Sequence, residues 1–218
     1  MKINSLTLSQ RYEENTIARI IVNAIPYVGS SLDVALSSRW EQYQTERVTD
    51  LLTKIEKELS ELKSEKVDKA FLESEEFFDL VYQIASKAIS NRISEIRTGY
   101  AKIIKSAIKG EETISNLEEL VWQLSDLQTK DVLFIRKIKE LFDSGREVTG
   151  NVLSTEFHEY DYSPIECEWY LYRFENLGLL DHPRNIINGR GKMLFQKMPL
   201  FDKISNYLGL QELPDPCK

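Results

Sequence analysis

Apolar side chains recur through the first half of the chain at the three-to-four-residue steps of a helix rather than the alternation of a strand. Ile17, Ile20, Ile21 and Ala24 predict a first helix over Ser9 to Ala24. It must stop before Pro26, whose ring disfavours helical geometry at Ile25. Ile25, Pro26, Tyr27, Val28 and Gly29 then read as a tight apolar turn, and Ser30 or Ser31 can cap the next helix by accepting a free backbone amide. From Leu32 the apolar positions run through Leu36, Trp40, Tyr43, Leu51 or Leu52, Ile55 and Leu59 to Leu62 at steps of about 3.5 residues. No Gly or Pro interrupts that run, and KIEKELSELKSEK sets opposite charges on its other faces, which predicts a long amphipathic helix packed in a bundle or coiled coil.

A third segment opens at Ser74, a candidate N-cap followed by acidic residues suited to a helix dipole. Its stripe of Phe77, Leu80, Val81, Ile84, Ala88, Ile93, Ile96, Tyr100, Ile103, Ile104 and Ile108 continues to Gly110, with Gly99 as a candidate kink. Ser115-Asn116-Leu117-Glu118 reads as a capping box for a shorter helix ending near Leu127. Residues 1–128 are therefore expected to be an antiparallel helical bundle.

The grammar changes in residues 129–218. Thr129 is placed to cap a helix from Asp131 to Phe142, ended by Asp143-Ser144-Gly145. A short helical piece is expected at Asn151 to Phe157 and a better one from Pro164 or Ile165 to Asn176, closed by Gly178. On that last helix Ile165, Trp169, Leu171, Tyr172, Phe174 and Leu177 are assigned to the core, which leaves Glu166, Tyr170 and Arg173 as its outward, partner-contacting face. Asn188-Gly189 then signals a hairpin, because both residues tolerate positive φ.

Three helices, the third running through Phe174-Glu175-Asn176-Leu177-Gly178-Leu179-Leu180 into a hairpin, resemble a winged-helix domain over about residues 130–200. The resemblance implies DNA binding, with the third helix in the major groove and the wing on the backbone. The Ile25 to Gly29 turn before a long helix is similar to one in helical bacterial proteins, which implies a bacterial setting tied to phage defence. The fold class expected is thus mainly α, a bundle followed by a winged-helix-like domain with a small hairpin.

Charge cuts against the DNA reading. The 218 residues carry 28 Lys and Arg against 35 Asp and Glu, a net charge of −7. A bulk field of that sign repels phosphate. Glu166, Glu168 and Glu175 on the third helix stand where a groove reader needs Lys, Arg, Asn or Gln. Arg184, Arg190, Lys192 and Lys197 cluster on the hairpin and could grip phosphates or a partner. The hydrophobic share of 42% excludes a disordered chain, and two cysteines make no disulfide framework, which fits a reducing cytoplasm.

The opening residues lack the basic start and apolar run of a secretory signal. Thr16 to Leu36 is the greasiest stretch, but its charge-free piece, Ile20 to Leu32, falls short of the roughly 20 residues of a spanning helix.

Chemistry is sparse. His158, Glu159, Asp161, Glu166, Cys167 and Glu168 form the densest group of candidate ligands, yet their spacing matches no zinc pattern and reads as a polar loop entering a helix cap. Cys167 reads as a small buried residue rather than a nucleophile. No phosphate-cradling loop is present, and no cofactor or metal site is expected. The expectation is a non-enzymatic interaction or regulatory module that self-associates or binds a protein through the Trp40 and Tyr43 stripe. The alternatives are a DNA-binding regulator using the basic wing, and a membrane-active effector using Ile25, Pro26, Tyr27 and Val28 after a conformational change.

Overall fold

The computed structural model describes residues 34–60, 69–182 and 194–210, which are mainly helical with one small two-stranded antiparallel sheet. The first helix expected, the Ile25 to Val28 turn, Leu62, the Asn188-Gly189 turn and the wing residues Arg184, Arg190 and Lys192 lie outside the described residues. The chain divides between Ser125 and Asp126 into two compact units. No helix among the described residues is long and apolar enough to cross a membrane.

The first unit holds α1 (Val34–Ser60), the single turn α2 (Lys69–Leu72), α3 (Glu75–Ser90), α4 (Ser94–Lys109) and α5 (Ile114–Ser125). Helix α4 packs against α1, α3 and α5, so its buried Ile96, Tyr100, Ile103 and Ile104 form the centre of the core. Phe77, Leu80 and Ile84 of α3 and Leu117, Val121 and Leu124 of α5 close on them. The seam of α1 is consumed here too, since Leu51, Leu52, Ile55 and Leu59 are all buried. Asp50 meets Arg97 and Glu58 meets Lys105, pairs that advance together, so α1 and α4 run in the same direction.

One expectation is corrected. The stripe from Ser74 to Gly110 is two helices, broken at Asn91-Arg92-Ile93, while α4 runs unbroken through Gly99. The break belongs to Asn91, which adopts an extended φ of −94° and accepts the Ile93 amide on Oδ1 at 2.8 Å. A short polar side chain of this kind offers the backbone an alternative to the helix ladder. Two arginines then secure the carbonyls of the turn, Arg47 donating to Ile89 O at 2.6 Å and Arg97 to Asn91 O at 2.9 Å. Arg97 is only 7% exposed, and its Nε donates to Asp50 Oδ2 at 2.5 Å. A second departure is small: Thr113, not Ser115, caps α5, its Oγ1 accepting the Asn116 amide at 3.4 Å.

The second unit holds α6 (Thr129–Asp143), α7 (Gly150–Glu156), a single 3-10 turn (His158–Tyr160), α8 (Pro164–Asn176), β1 (Leu180–Asp181), β2 (Gln196–Lys197) and α9 (Pro199–Tyr207). Thr129 is the first residue of α6 rather than its cap; the capping position is Gln128, whose amide donates to Asp131 Oδ2 at 2.8 Å. Leu180 pairs with Lys197 and Asp181 with Gln196, while Val148 bridges to Phe195. The short segment from Phe195 thus has partners both from the α6–α7 connection and from the end of α8. Helix α9 is an addition to the expected elements: Pro199 supplies its first turn, and Phe201, Ile204 and Tyr207 bury one face. Gly178 sits at φ +69°, the left-handed geometry that ends α8.

The Asp50 cluster generates a pH prediction. Burial pushes its carboxyl pKa up, but hydrogen bonds and charge from Lys54 and Arg97 outweigh that and hold it below its ordinary value. A carboxylate with a depressed folded-state pKa stabilises above its unfolded value, and the contribution is lost as pH falls through the folded one. Asp50→Asn is therefore expected to destabilise the chain near neutrality, and the gap to wild type should close below about pH 4. Urea melts at a series of pH values check this; a gap that widened on acidification would contradict it.

Candidate functional site

Helix α8 begins where Ser163 and Glu166 cap each other. The Ser163 Oγ accepts the Glu166 amide at 3.3 Å, and Glu166 Oε2 accepts the Ser163 amide at 2.9 Å. Those bonds, the backbone one foremost, lower the pKa of Glu166. Pro164 at the first helical position needs no amide partner. Helix α7 approaches this start closely enough that a Cβ on Gly150 would lie 2.6 Å from Pro164 O and would also strike Glu168 Cγ. Only glycine fits there without a shift of the backbone.

The core face of α8 is narrower than expected, although Cys167, Leu171 and Phe174 are buried as read from the sequence. Tyr170 turns toward them and stacks on the buried Phe134 of α6, with ring centroids 4.0 Å apart. Arg173 makes two bonds to Asp131, from Nε at 2.9 Å and from an Nη at 2.8 Å, and donates to Asp126 O at 3.2 Å. Asp131 is 1% exposed. Of the three residues assigned outward by the sequence, Glu166 is exposed but bonded as a cap, while Tyr170 is half-buried in a ring stack and Arg173 half-buried in an ion pair.

Ile165 and Trp169, assigned to the core, instead face solvent at 79% and 61% exposure. They stand one helical turn apart, with Glu168 beside them and the half-buried Tyr172 continuing the row. Tyr172 in turn meets Phe195 and His182 edge-on at 5.6 and 6.0 Å. Tyr160, 57% exposed, stands at the other end of an aromatic chain that passes through Tyr162 and Tyr170 to Trp169. Glu159 and Asp161 flank Tyr160 and are exposed. Lys130 lies over the Tyr162 ring at 5.4 Å.

The group of candidate ligands does not converge. His158 is exposed with Nδ1 3.3 Å from Thr155 O, while Cys167 is buried and its thiol pKa is pushed up to about 11, by desolvation first and the Glu166 charge second. Such a thiol holds its proton at neutral pH and is a poor nucleophile or metal ligand. Among the described residues no set of three or more His, Cys, Asp or Glu side chains could hold a metal ion.

Of the remaining predicted contacts, Lys197 pairs with Asp202 at 3.0 Å. Tyr43 is 52% exposed and lines an open cleft of about 590 Å³ in the first unit, together with Arg47, Asp50 and Arg97. Trp40 lies on α1, its side chain outside the described part. Family models, curated proteins and solved structures were compared with the chain, and none matches it.

The sequence signal for an inward Arg173 was the buried partner rather than the helix itself: Asp131, in an otherwise apolar row of α6, needs a cation, and Arg173 supplies it. Arg173→Ala should strand that carboxylate and cost about 3 kcal/mol of stability. Chemical denaturation checks this, and a loss under about 1 kcal/mol would mean that the pair does not hold α8, since that is the scale of an exposed pair.

Proposed function

We propose that this chain is a non-enzymatic interaction module whose second unit is a winged-helix-like domain, and that the exposed row of α8 is where it meets a protein partner. The observation that carries the reading is the pair Ile165 and Trp169 held out into solvent by a helix whose opposite face is fully committed. Large exposed apolar side chains grouped on one rigid element mark contact surfaces, and tryptophan is among the residues that dominate binding energies.

The order helix, Val148 bridge, helix, helix, strand, strand supports the winged-helix-like assignment, with the segment from Phe195 shared between Val148 and Leu180–Asp181. That same order favours nucleic acid as a second reading. The residues themselves favour protein, because the row bears Glu168 and no outward Lys or Arg with which to meet phosphates.

The α1 stripe is a weaker candidate for assembly, since its described apolar residues from Leu51 to Leu59 are spent within the first unit. The setting in bacterial defence and the membrane-active alternative rest on residues 25–29 and carry no further support.

One experiment separates the readings. A photo-reactive amino acid placed at position 165 in the host cell is expected to give a crosslinked adduct that proteinase destroys and nuclease leaves intact, and that Trp169→Ser abolishes. A nuclease-sensitive adduct would shift the assignment to nucleic acid, and no adduct would count against this face as a contact surface.

A further inference from the structure

Resting on the protein-contact reading above, we propose that the α8 face selects a basic apolar segment: a partner helix or strand that presents Lys or Arg beside its hydrophobic residues. The charge around the exposed rings sets this preference. Glu168, half-exposed, lies beside Ile165 and Trp169 on α8, and the exposed Glu159 and Asp161 flank Tyr160 at the far end of the aromatic chain; none of the three forms an ion pair among the described residues, while the nearby cations have partners. Arg173 is held by Asp131, and Lys130 lies over the Tyr162 ring.

Over residues 159–175 the sequence has five carboxylates and one guanidinium, and that guanidinium faces inward. An apolar patch with an acidic rim attracts a cationic partner during encounter and penalises an anionic one by like-charge contact. The faces of Trp169 and Tyr160 add a second attraction, because an ammonium or guanidinium stacks favourably on an indole or phenol ring. The described residues already contain such contacts, Lys87 Nζ standing 3.8 Å from the centre of the Trp122 ring and Lys130 Nζ 5.4 Å from that of Tyr162.

The rim charges can be neutralised without harm to the fold: Glu168→Gln keeps the stem that packs on Gly150. Glu166 caps the helix and is excluded from the rim. Asp161 sits at φ +54°, a geometry that Asn also tolerates, so Asp161→Asn removes the charge and keeps the turn.

The test uses the full chain and two designed probes. One is a peptide repeating Leu-Lys-Lys-Leu-Leu-Lys-Lys, the other the same peptide with Glu in place of every Lys. Titration calorimetry is expected to show binding of the lysine peptide, weakening with salt, and none of the glutamate peptide. Ile165→Ser with Trp169→Ser should weaken the lysine peptide about tenfold or more. Glu159→Gln, Asp161→Asn and Glu168→Gln together should weaken it about tenfold. Neutralising as many exposed carboxylates on α3 and just before it, by Glu73→Gln, Glu76→Gln and Asp79→Asn, should leave affinity unchanged. Melting temperatures confirm that each variant is folded.

Equal loss in the α3 set would mean that net charge, not this face, attracts the peptide, and would overturn the inference. Absence of lysine-peptide binding would overturn it too, as would glutamate-peptide binding that Trp169→Ser abolishes or displacement of the lysine peptide by single-stranded DNA at an Ile165-dependent site. The protein-contact reading stands or falls separately, on the crosslink at position 165.

Discussion

The ion pair between Arg173 and Asp131 decides which way α8 faces. Asp131 is buried at the start of α6, where it also accepts the Gln128 amide that opens that helix. A buried carboxylate without a cation costs about 3–5 kcal/mol, at or above the roughly 1.5–3 kcal/mol that one apolar side chain gains by leaving water. A rotation of α8 that buried Trp169 would carry Arg173 away from Asp131 and unstack Tyr170 from Phe134. The fold therefore keeps the polar pair and leaves the tryptophan in solvent. Electrostatic satisfaction outranks hydrophobic burial at this helix.

The first unit repeats the device. Arg97, almost fully buried, bonds one carboxylate, Asp50, and one turn carbonyl, Asn91 O. Arg173 likewise bonds Asp131 and the carbonyl of Asp126, the residue from which the second unit begins. In both places a guanidinium with several donors ties a helix to a connection that has lost its own backbone partners. The two arginines hold the elbows of the chain, and neither is available as a surface charge.

Much of the architecture was legible in the sequence. The 3.6-residue period, the Ser74 cap, Gly110, Pro164 and Gly178 locate helices because each is a local signal, readable without knowing what packs on what. The break at Asn91 was harder, since apolar periodicity continues through Ile93 and the arginines that stabilise the turn come from positions 47 and 97. Helix α9 carried ordinary signals in Pro199 and its apolar spacing. The core face of α8 was read too widely for a physical reason: Ile165, Trp169 and Tyr172 are as apolar as Leu171 and Phe174, and hydrophobicity alone does not tell which of them has a partner to pack on. The correction came from a carboxylate more than forty residues away in sequence. Of the site residues chosen by elimination, Glu166 is exposed as read, while Tyr170 and Arg173 are half-buried and have partners within the unit.

What emerges is a chain in which the internal polar network shapes the exposed chemistry. Caps and ion pairs absorb Glu166, Arg173 and Asp131, and the residues left over make an apolar row with an acidic rim. The most direct measurement of that account is the accessibility of one ring. In a chain carrying Trp40→Phe and Trp122→Phe, the remaining Trp169 should emit at the long wavelength of a hydrated indole and be quenched by acrylamide nearly as readily as a free tryptophan derivative. A blue-shifted, poorly quenched Trp169 would mean that α8 is turned the other way, and the orientation argued from Asp131 would be wrong.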